Sequence, residues 1–563
     1  MTAAPTVTEL LLAQAGRTEP GLKTHDGTWS WSEVLTASAA RAAALRELLS
    51  VRSSGTRSSG SGSPSSAPVS GNPVSGGPLG TVPGDGPPHV GILADNVPEF
   101  AFLLGGCALS GSVLVGLNPT RRGTALVRDV RVSDCRVVLT QSSYRPLLGD
   151  DVGVPVLDLD GPEWTDLVAR HAAPPDDPAA ADPAPVTADD LLMLIFTSGT
   201  SGDPKPVRCT HGKIAFPGRM LAERFGLSHS DTVYVPMPMF HSNAIMAGWA
   251  VGLAAGAAIA LRERFSASGF LPDVRRFGAT YTDYVGTPLS YVLATPWRPD
   301  DADNPLRIAY GNEGAEADLA AFAERFGCHV VDAYGSTEGG IGFARTPDTP
   351  AGSLGRLTDG VRILDLRTGE PCPPAEFGPD GALTNADAAV GELVNLAGPG
   401  WFAGYYNDPD ADADRLRDGR YHTGDLAYAD ADGFAYFAGR TADWVRVDGE
   451  NLGTAPIERI LLRHPAVAEA AVYAVPGHVG DDVMAAIVPT AGAAPEPGEF
   501  ADFLDEQDDL GPKQRPRYVR VTADLPRTAT FKVIKRRLAA DGTACTDPVW
   551  ERHGGGYRPI DRP

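Results

Sequence analysis

The chain of 563 residues is too long for one hydrophobic core and predicts two or more domains. Its hydrophobic fraction, 43%, fits a soluble globular protein, and its formal net charge of −23 argues against general nucleic-acid binding and against adhesion to an anionic membrane. A phosphate-bearing ligand would have to be held by local groups, not by the field of the whole protein. The six cysteines (Cys107, Cys135, Cys209, Cys328, Cys372 and Cys545) form no CxxC pair, which suggests reduced thiols in a cytoplasmic protein and no cysteine metal site.

The first residues, MTAAPTVTELLLAQAG, lack a basic leader and do not read as a signal peptide. Residues 30–50 predict an amphipathic helix, with Leu35, Ala39, Ala42, Leu45 and Leu49 near helical spacing. Residues 53–88 are almost all Ser, Gly and Pro; they cannot bury enough surface to offset ordering entropy and predict a disordered insert. Strand-like runs follow: HVGILADN, the FAFLLGGCALSGSVLVGL region, RVVLTQ, VPVLDLD, LLMLIFTSG, TVYVPMPM, ATYTDYV, LRIAYGNEG and HVVDAYGSTEGG. Helical patterns lie between several of them, which predicts an α/β fold with largely parallel sheets. Ala244–Leu261, an unbroken apolar or small run, approaches the length of a membrane span. Its alanine and glycine content makes it weakly hydrophobic, so it reads as a buried helix entering a buried strand. Residues 371–388 read as a surface loop, and the texture after Arg440 predicts a small α+β unit of about a hundred residues. The tail after Cys545 is rich in Gly, Pro and Arg and is expected to be loose. There are no internal repeats.

Thr197-Ser198-Gly199-Thr200-Ser201-Gly202, followed by Lys205, closes an apolar strand. Glycine frees the backbone to aim N–H groups at a ligand, hydroxyls add donors, and the lysine adds mobile charge, so the loop suits a polyphosphate as well as it suits an ordinary surface turn. Four further stretches are individually weak: Tyr334-Gly335-Ser336-Thr337-Glu338-Gly339-Gly340, Tyr421-His422-Thr423-Gly424-Asp425-Leu426, Gly439-Arg440 leading to Asp448-Gly449-Glu450-Asn451, and Pro526-Arg527-Thr528-Ala529-Thr530-Phe531-Lys532. Their order and separations together are very specific.

On these motifs the chain resembles the adenylate-forming superfamily of acyl-CoA synthetases, luciferases and adenylation domains, from about residue 8 to about residue 547 apart from the insert. It looks most like actinobacterial fatty acid–CoA ligases, and its TATFK and GENLGT segments resemble the very-long-chain and fatty-acid-transport branch. The resemblance implies a large N-terminal adenylation domain of layered sheets and helices (1–439), a hinge (440–443), a small mobile C-terminal lid (444–545) and a loose tail (546–563). It implies an ATP-dependent fatty acid–CoA ligase that forms an acyl-AMP, with ATP, Mg²⁺ and coenzyme A as cofactors or co-substrates. Transfer to a carrier protein, or use of an aryl or sterol-derived acid, are alternatives.

The resemblance also implies roles. Residues 197–202 and Lys205 would hold the β- and γ-phosphates. Gly311, Asn312 and Glu313 would wall the adenine pocket, Tyr334 with Gly335 and Ser336 would pack on adenine, and Thr337 would meet the α-phosphate. Glu338, with Thr200, would hold Mg²⁺, a hard cation that prefers oxygen. Asp425 would accept from the ribose hydroxyls, supported by Arg440. Lys532 would bridge carboxylate and α-phosphate, and Gly449 would leave room for the pantetheine arm. His241 matches a position between the acyl and thiol tunnels, where gating and plain packing are both open. Ala442 and Asp443 stand where many members place the pivot, a departure that leaves the hinge residue open. No nucleic-acid partner and no transmembrane span are expected; peripheral membrane contact and homodimerisation stay open.

Overall fold

The computed structural model describes residues 4–54, 86–149, 151–172, 181–197, 204–343, 345–346, 348–378, 383–440, 445–447, 450–477, 481–493, 495–507, 510–511, 513–528 and 533–560. Two sheets carry the loops in which the sequence motifs lie. In one, the strands lie in the order Val156–Asp158, Cys135–Thr140, His89–Leu93, Val113–Gly116, Leu191–Thr197 and Lys205–Thr210. All neighbours are parallel except the last pair, a hairpin that sets Thr197 opposite Lys205. In the other, the order is His329–Asp332, Ile308–Asn312, Tyr281–Val285, Thr232–Val235, Ala258–Leu261, Pro20–Lys23 and Thr28–Ser30, again parallel up to the last pair. Strands such as Val113–Gly116 and Thr232–Val235 are buried along their whole length, which is why they read as continuous apolar runs and not as alternating ones.

The expected α/β architecture is present, with one addition. A third, antiparallel sheet orders Gly355–Arg356, Phe434–Arg440, Arg420–Ala429, Gly391–Asn395 and Val361–Leu364. A smaller core built on Val445, Ile457, Leu461, Val472, Ile487, Phe500, Val519 and Trp550 belongs to the C-terminal part, whose sheet runs Val467–Pro476, Asp481–Pro489, Tyr518–Val521, Val549–His553, Gly556–Pro559.

Two sequence expectations are corrected. The FAFLLGGCALS half of its strand-like region is the helix Pro98–Ser110, with proline in its first turn and Gly111 in the left-handed conformation (φ 71°) at its end. It is buried on all sides, so its periodicity vanishes and it reads like a central strand. Residues 547–560 of the tail are not loose: their two strands complete the C-terminal sheet, with Trp550 and Tyr557 both edge-on to Phe500 at 5.9 and 6.0 Å. Its glycines serve the turn between those strands, where Gly554 has φ 62°.

The helix expected near residues 30–50 spans Trp31–Ser54 and takes in the first two residues of the low-complexity insert; residues 55–85 lie outside the described residues. The 244–261 run is a helix entering a strand, as its composition suggests. Asn243–Trp249 is π-helical, Ala250–Ala255 is α-helical, and Ala258–Leu261 is a strand. Among the described residues, no helix is long and apolar enough to cross a membrane.

Candidate active site

The site gathers at the C-terminal ends of the parallel strands, where an open α/β sheet leaves a crevice. Leu191–Thr197 delivers Thr197, whose hydroxyl donates to Glu338 Oε1 at 3.3 Å. Residues 198–203 lie outside the described residues, but the loop returns at Lys205. Its ammonium sits 5.4 Å over the Tyr405 ring and 4.0 Å from Asp408. Strand His329–Asp332 leads into Tyr334, whose hydroxyl donates to Asp425 Oδ2 at 2.6 Å, across from the antiparallel sheet. Asp425 is fixed by its own N–H to the Thr423 hydroxyl (3.0 Å), and its strand partner is Arg440. Thr337 shares a 2.7 Å hydrogen bond with Ser242.

Backbone shape brings the wall segment close. A Cβ at Gly311 would lie 2.6 Å from the Tyr284 ring, so only glycine fits there. Glu313 adopts φ 63°, an uncommon left-handed conformation for a residue with a side chain. Asp332 anchors this turn, accepting from the Gly314 N–H at 3.0 Å and the Tyr284 hydroxyl at 2.9 Å. Burial pushes the Asp332 carboxyl up to about 6.

Glu338 is the electrostatic centre. It is only 8% exposed and accepts from the Tyr405 hydroxyl at 2.9 Å. Burial alone would raise its pKa, but the Arg415 guanidinium, a backbone N–H, Tyr405 and the Lys213 ammonium outweigh it and hold the carboxyl below its usual value. Arg415 donates to the Tyr405 hydroxyl (3.3 Å) and to the carbonyls of His422 (3.2 Å) and Thr423. Lys213 is 3% exposed and donates to the Arg208 carbonyl at 3.1 Å, and burial lowers its pKa. One buried carboxylate thus has a buried lysine and a half-buried arginine in its electrostatic surroundings beside the loop root.

The sequence motifs did not single out Tyr405, Arg415, Lys213, Ser242 or Asn243. Lys213 follows HG at the start of a helix and reads as solvated; Arg415 sits in the acidic run DADADRLRDG and reads as an exposed helix end. His241 is half-buried, with its ring 4.4 Å from that of Phe240, next to Ser242. Asn312 receives the Asn243 amide at 3.4 Å. Gly335 and Ser336 lie on the Tyr334–Glu338 turn. Lys532, Ser198, Gly199, Thr200, Ser201, Gly202 and Gly449 lie outside the described residues, as do Ala442 and Asp443, and of Arg440 only the backbone is described. The described ends of the Lys532 segment, Arg527 and Val533, pair as a bridge, and Arg527 donates to the Thr287 hydroxyl at 3.3 Å. Thr287 follows Gly286, which packs on the Glu313 carbonyl, so the base of that segment stands beside the wall.

The description "AMP-binding enzyme" matches residues 79–406, and "AMP-binding enzyme C-terminal domain" matches residues 456–532. A medium/long-chain-fatty-acid–CoA ligase of Mycobacterium tuberculosis, FadD17, is 53% identical over 97% of this chain and 98% of its own. The steroid-22-oyl-CoA synthetase of Rhodococcus jostii is 43% identical over 98% of this chain and 94% of its own. Among solved structures, ATP-bound MatB from Rhodopseudomonas palustris superposes with a TM-score of 0.76 at 23% identity, covering 96% of this chain and 99% of its own. The chain therefore belongs to the AMP-binding, adenylate-forming enzyme family. Within that family it is an acid–thiol ligase of the AMP-forming kind.

Proposed function

We propose that this chain is an ATP-dependent fatty acid–CoA ligase that works through an acyl-AMP. The observation that carries the reading is the near-full-length 53% identity to a medium/long-chain-fatty-acid–CoA ligase. The geometry supports it. Tyr334 and Asp425 form one hydrogen-bonded unit fit to take adenine and ribose, and Thr337 and the Thr197–Lys205 hairpin lie beside it to take the phosphates.

A carboxylate is a poor electrophile, and its attack on the α-phosphate brings two anions together. Positive charge aimed at that approach lowers the barrier. Lys532 supplies it in this reading. A unit charge pair near 3 Å, at an effective dielectric of about 20, interacts by roughly 5 kcal/mol before desolvation. The residues 197–202 and Lys205 hold the leaving pyrophosphate, and Lys213 and Arg415 offset the charge of Glu338. Glu338 is held in its ionised form and has hydroxyls of Thr197 and Tyr405 around it, an oxygen donor set that fits Mg²⁺, which Glu338 and Thr200 would hold. When bound, that ion would neutralise phosphate charge. In the second half-reaction the 444–545 unit turns about 440–443, withdraws Lys532, and presents Gly449 to coenzyme A; a thiolate then displaces AMP. In this reading His241 would sit between the acyl and thiol approaches, where it would either gate them or simply pack.

A sterol-derived acid is the second reading, favoured by the 43% identity to the steroid-22-oyl-CoA synthetase. Pyrophosphate release across short to very long fatty acids, aryl acids and sterol-side-chain acids, with and without CoA, tests both. Turnover that needs CoA and peaks on fatty acids supports the proposal. Adenylate that accumulates despite CoA, or a peak on sterol acids, overturns it.

A further inference from the structure

The Thr337–Ser242 hydrogen bond marks where the nucleotide site meets the interior. Ser242 opens the π-helix Asn243–Trp249, which packs against strand Tyr281–Val285. The two elements are tied at both ends: the Asn243 amide donates to the Tyr284 carbonyl at 3.0 Å, and the Tyr281 hydroxyl donates to the Ala247 carbonyl at 2.8 Å. Their seam runs inward from Thr337. Ser242 to Gly248 is six residues, at most about 9 Å of helix at helical rise. π-helical turns occur often at functional sites.

Asp283 lies in this seam. It is 1% exposed, between Thr282 and Tyr284 on a strand that is otherwise fully buried. Neither carboxyl oxygen has a hydrogen-bond partner on another described residue, and neither does Asn243 Oδ1. The Tyr281 hydroxyl is already spent on Ala247. A Cβ at Gly248 would lie 3.2 Å from Asp283 Oδ1 and 3.0 Å from Val235 Cγ2, so the glycine makes the room the carboxyl occupies. Burial drives the Asp283 pKa far up and keeps the group neutral, able both to donate and to accept one hydrogen bond. An orphaned polar group in the interior costs about 1–3 kcal/mol, and valine or leucine would fill the position without that cost.

We propose that the seam between the π-helix and strand Tyr281–Val285 forms part of the acyl pocket and that Asp283 is its specificity-determining residue, whose carboxyl hydrogen-bonds a second oxygen, hydroxyl or ketone, carried partway along the acyl part of the substrate. This rests on the ligase reading above and narrows it from plain fatty acids to oxygenated ones. Asn243 Oδ1, nearer the nucleotide, offers an acceptor on the same seam.

The test compares dodecanoate with its series of monohydroxy and monoketo isomers, measuring kcat/KM with ATP and CoA for wild type, Asp283→Leu and Asp283→Asn. The wild type is expected to favour one or a few neighbouring oxygen positions over dodecanoate. Asp283→Leu should lower that preference about 10- to 100-fold. Asp283→Asn, which keeps the shape and both hydrogen-bonding functions, should retain most of it, and thermal melting identifies any variant that has failed to fold. If dodecanoate is turned over and both variants leave every ratio within twofold of wild type, this inference is overturned and the ligase reading stands. If wild type turns over no acid of the series, both are overturned.

Discussion

Replacing Arg415 by methionine tests the electrostatic centre of the site. The Tyr405 hydroxyl touches Glu338 at 2.9 Å and Arg415 at 3.3 Å, so these two contacts in sequence (2.9 plus 3.3) put the charges within about 6 Å. At an effective dielectric of about 20, a unit charge pair at that separation interacts by roughly 3 kcal/mol, which favours the ionised form of Glu338. In wild type the Glu338 pKa is depressed, so its ionised form contributes stability above the ordinary carboxylate pKa, lost only as pH falls through the lower folded value. Burial is the largest single influence on Glu338 and raises its pKa, so losing Arg415, the largest opposing influence, lets the carboxyl take up a proton at higher pH than in wild type. The assay is acid-dependent ATP–pyrophosphate exchange as a function of pH. The acid limb should move to higher pH in Arg415→Met. Tyr405→Phe, which keeps the cation, should move the limb less. An acid limb that stays put in a folded Arg415→Met protein would refute the reasoning.

Lys532→Ala should abolish adenylation while largely sparing thioester formation from presynthesised acyl-AMP; equal loss of both half-reactions refutes its role. Tyr334→Phe removes a 2.6 Å charge-assisted hydrogen bond to Asp425 and should weaken ATP use about tenfold, read as KM for ATP. Asp332 has a folded pKa raised to about 6 by burial, so its contribution is full below the unfolded carboxylate pKa and is lost as pH rises through 6. Asp332→Asn should therefore flatten the decline in stability between about pH 4 and 6, measured by denaturant melts. Deleting residues 548–563 removes two strands and the aromatic cover of Phe500 and should unfold the C-terminal sheet, seen as rapid proteolysis of that part.

The parallel strands were legible because burial on both faces writes them as unbroken apolar runs. The same cue misassigned Pro98–Ser110, where a helix buried all round loses its period. The last two strands were hidden because each is short and joined by glycines, and because Trp550 and Tyr557 carry meaning only against Phe500, about fifty residues away. In the site, Thr197, Tyr334, Thr337, Glu338 and Asp425 were readable as motifs. Lys213 and Arg415 were not, since a single cation in a polar stretch looks solvated until the fold turns it inward. Asp283 likewise sits unremarked in ATYTDYV, and only its burial beside Gly248 distinguishes it.

The central claim is that the acid's own carboxylate oxygen attacks the α-phosphate of ATP. Turnover of a fatty acid carrying heavy oxygen in its carboxylate, followed by mass spectrometry of the products, measures this directly. One heavy atom should appear in AMP and one in the thioester, with none in pyrophosphate. Unlabelled AMP, or label in pyrophosphate or free phosphate, would contradict it.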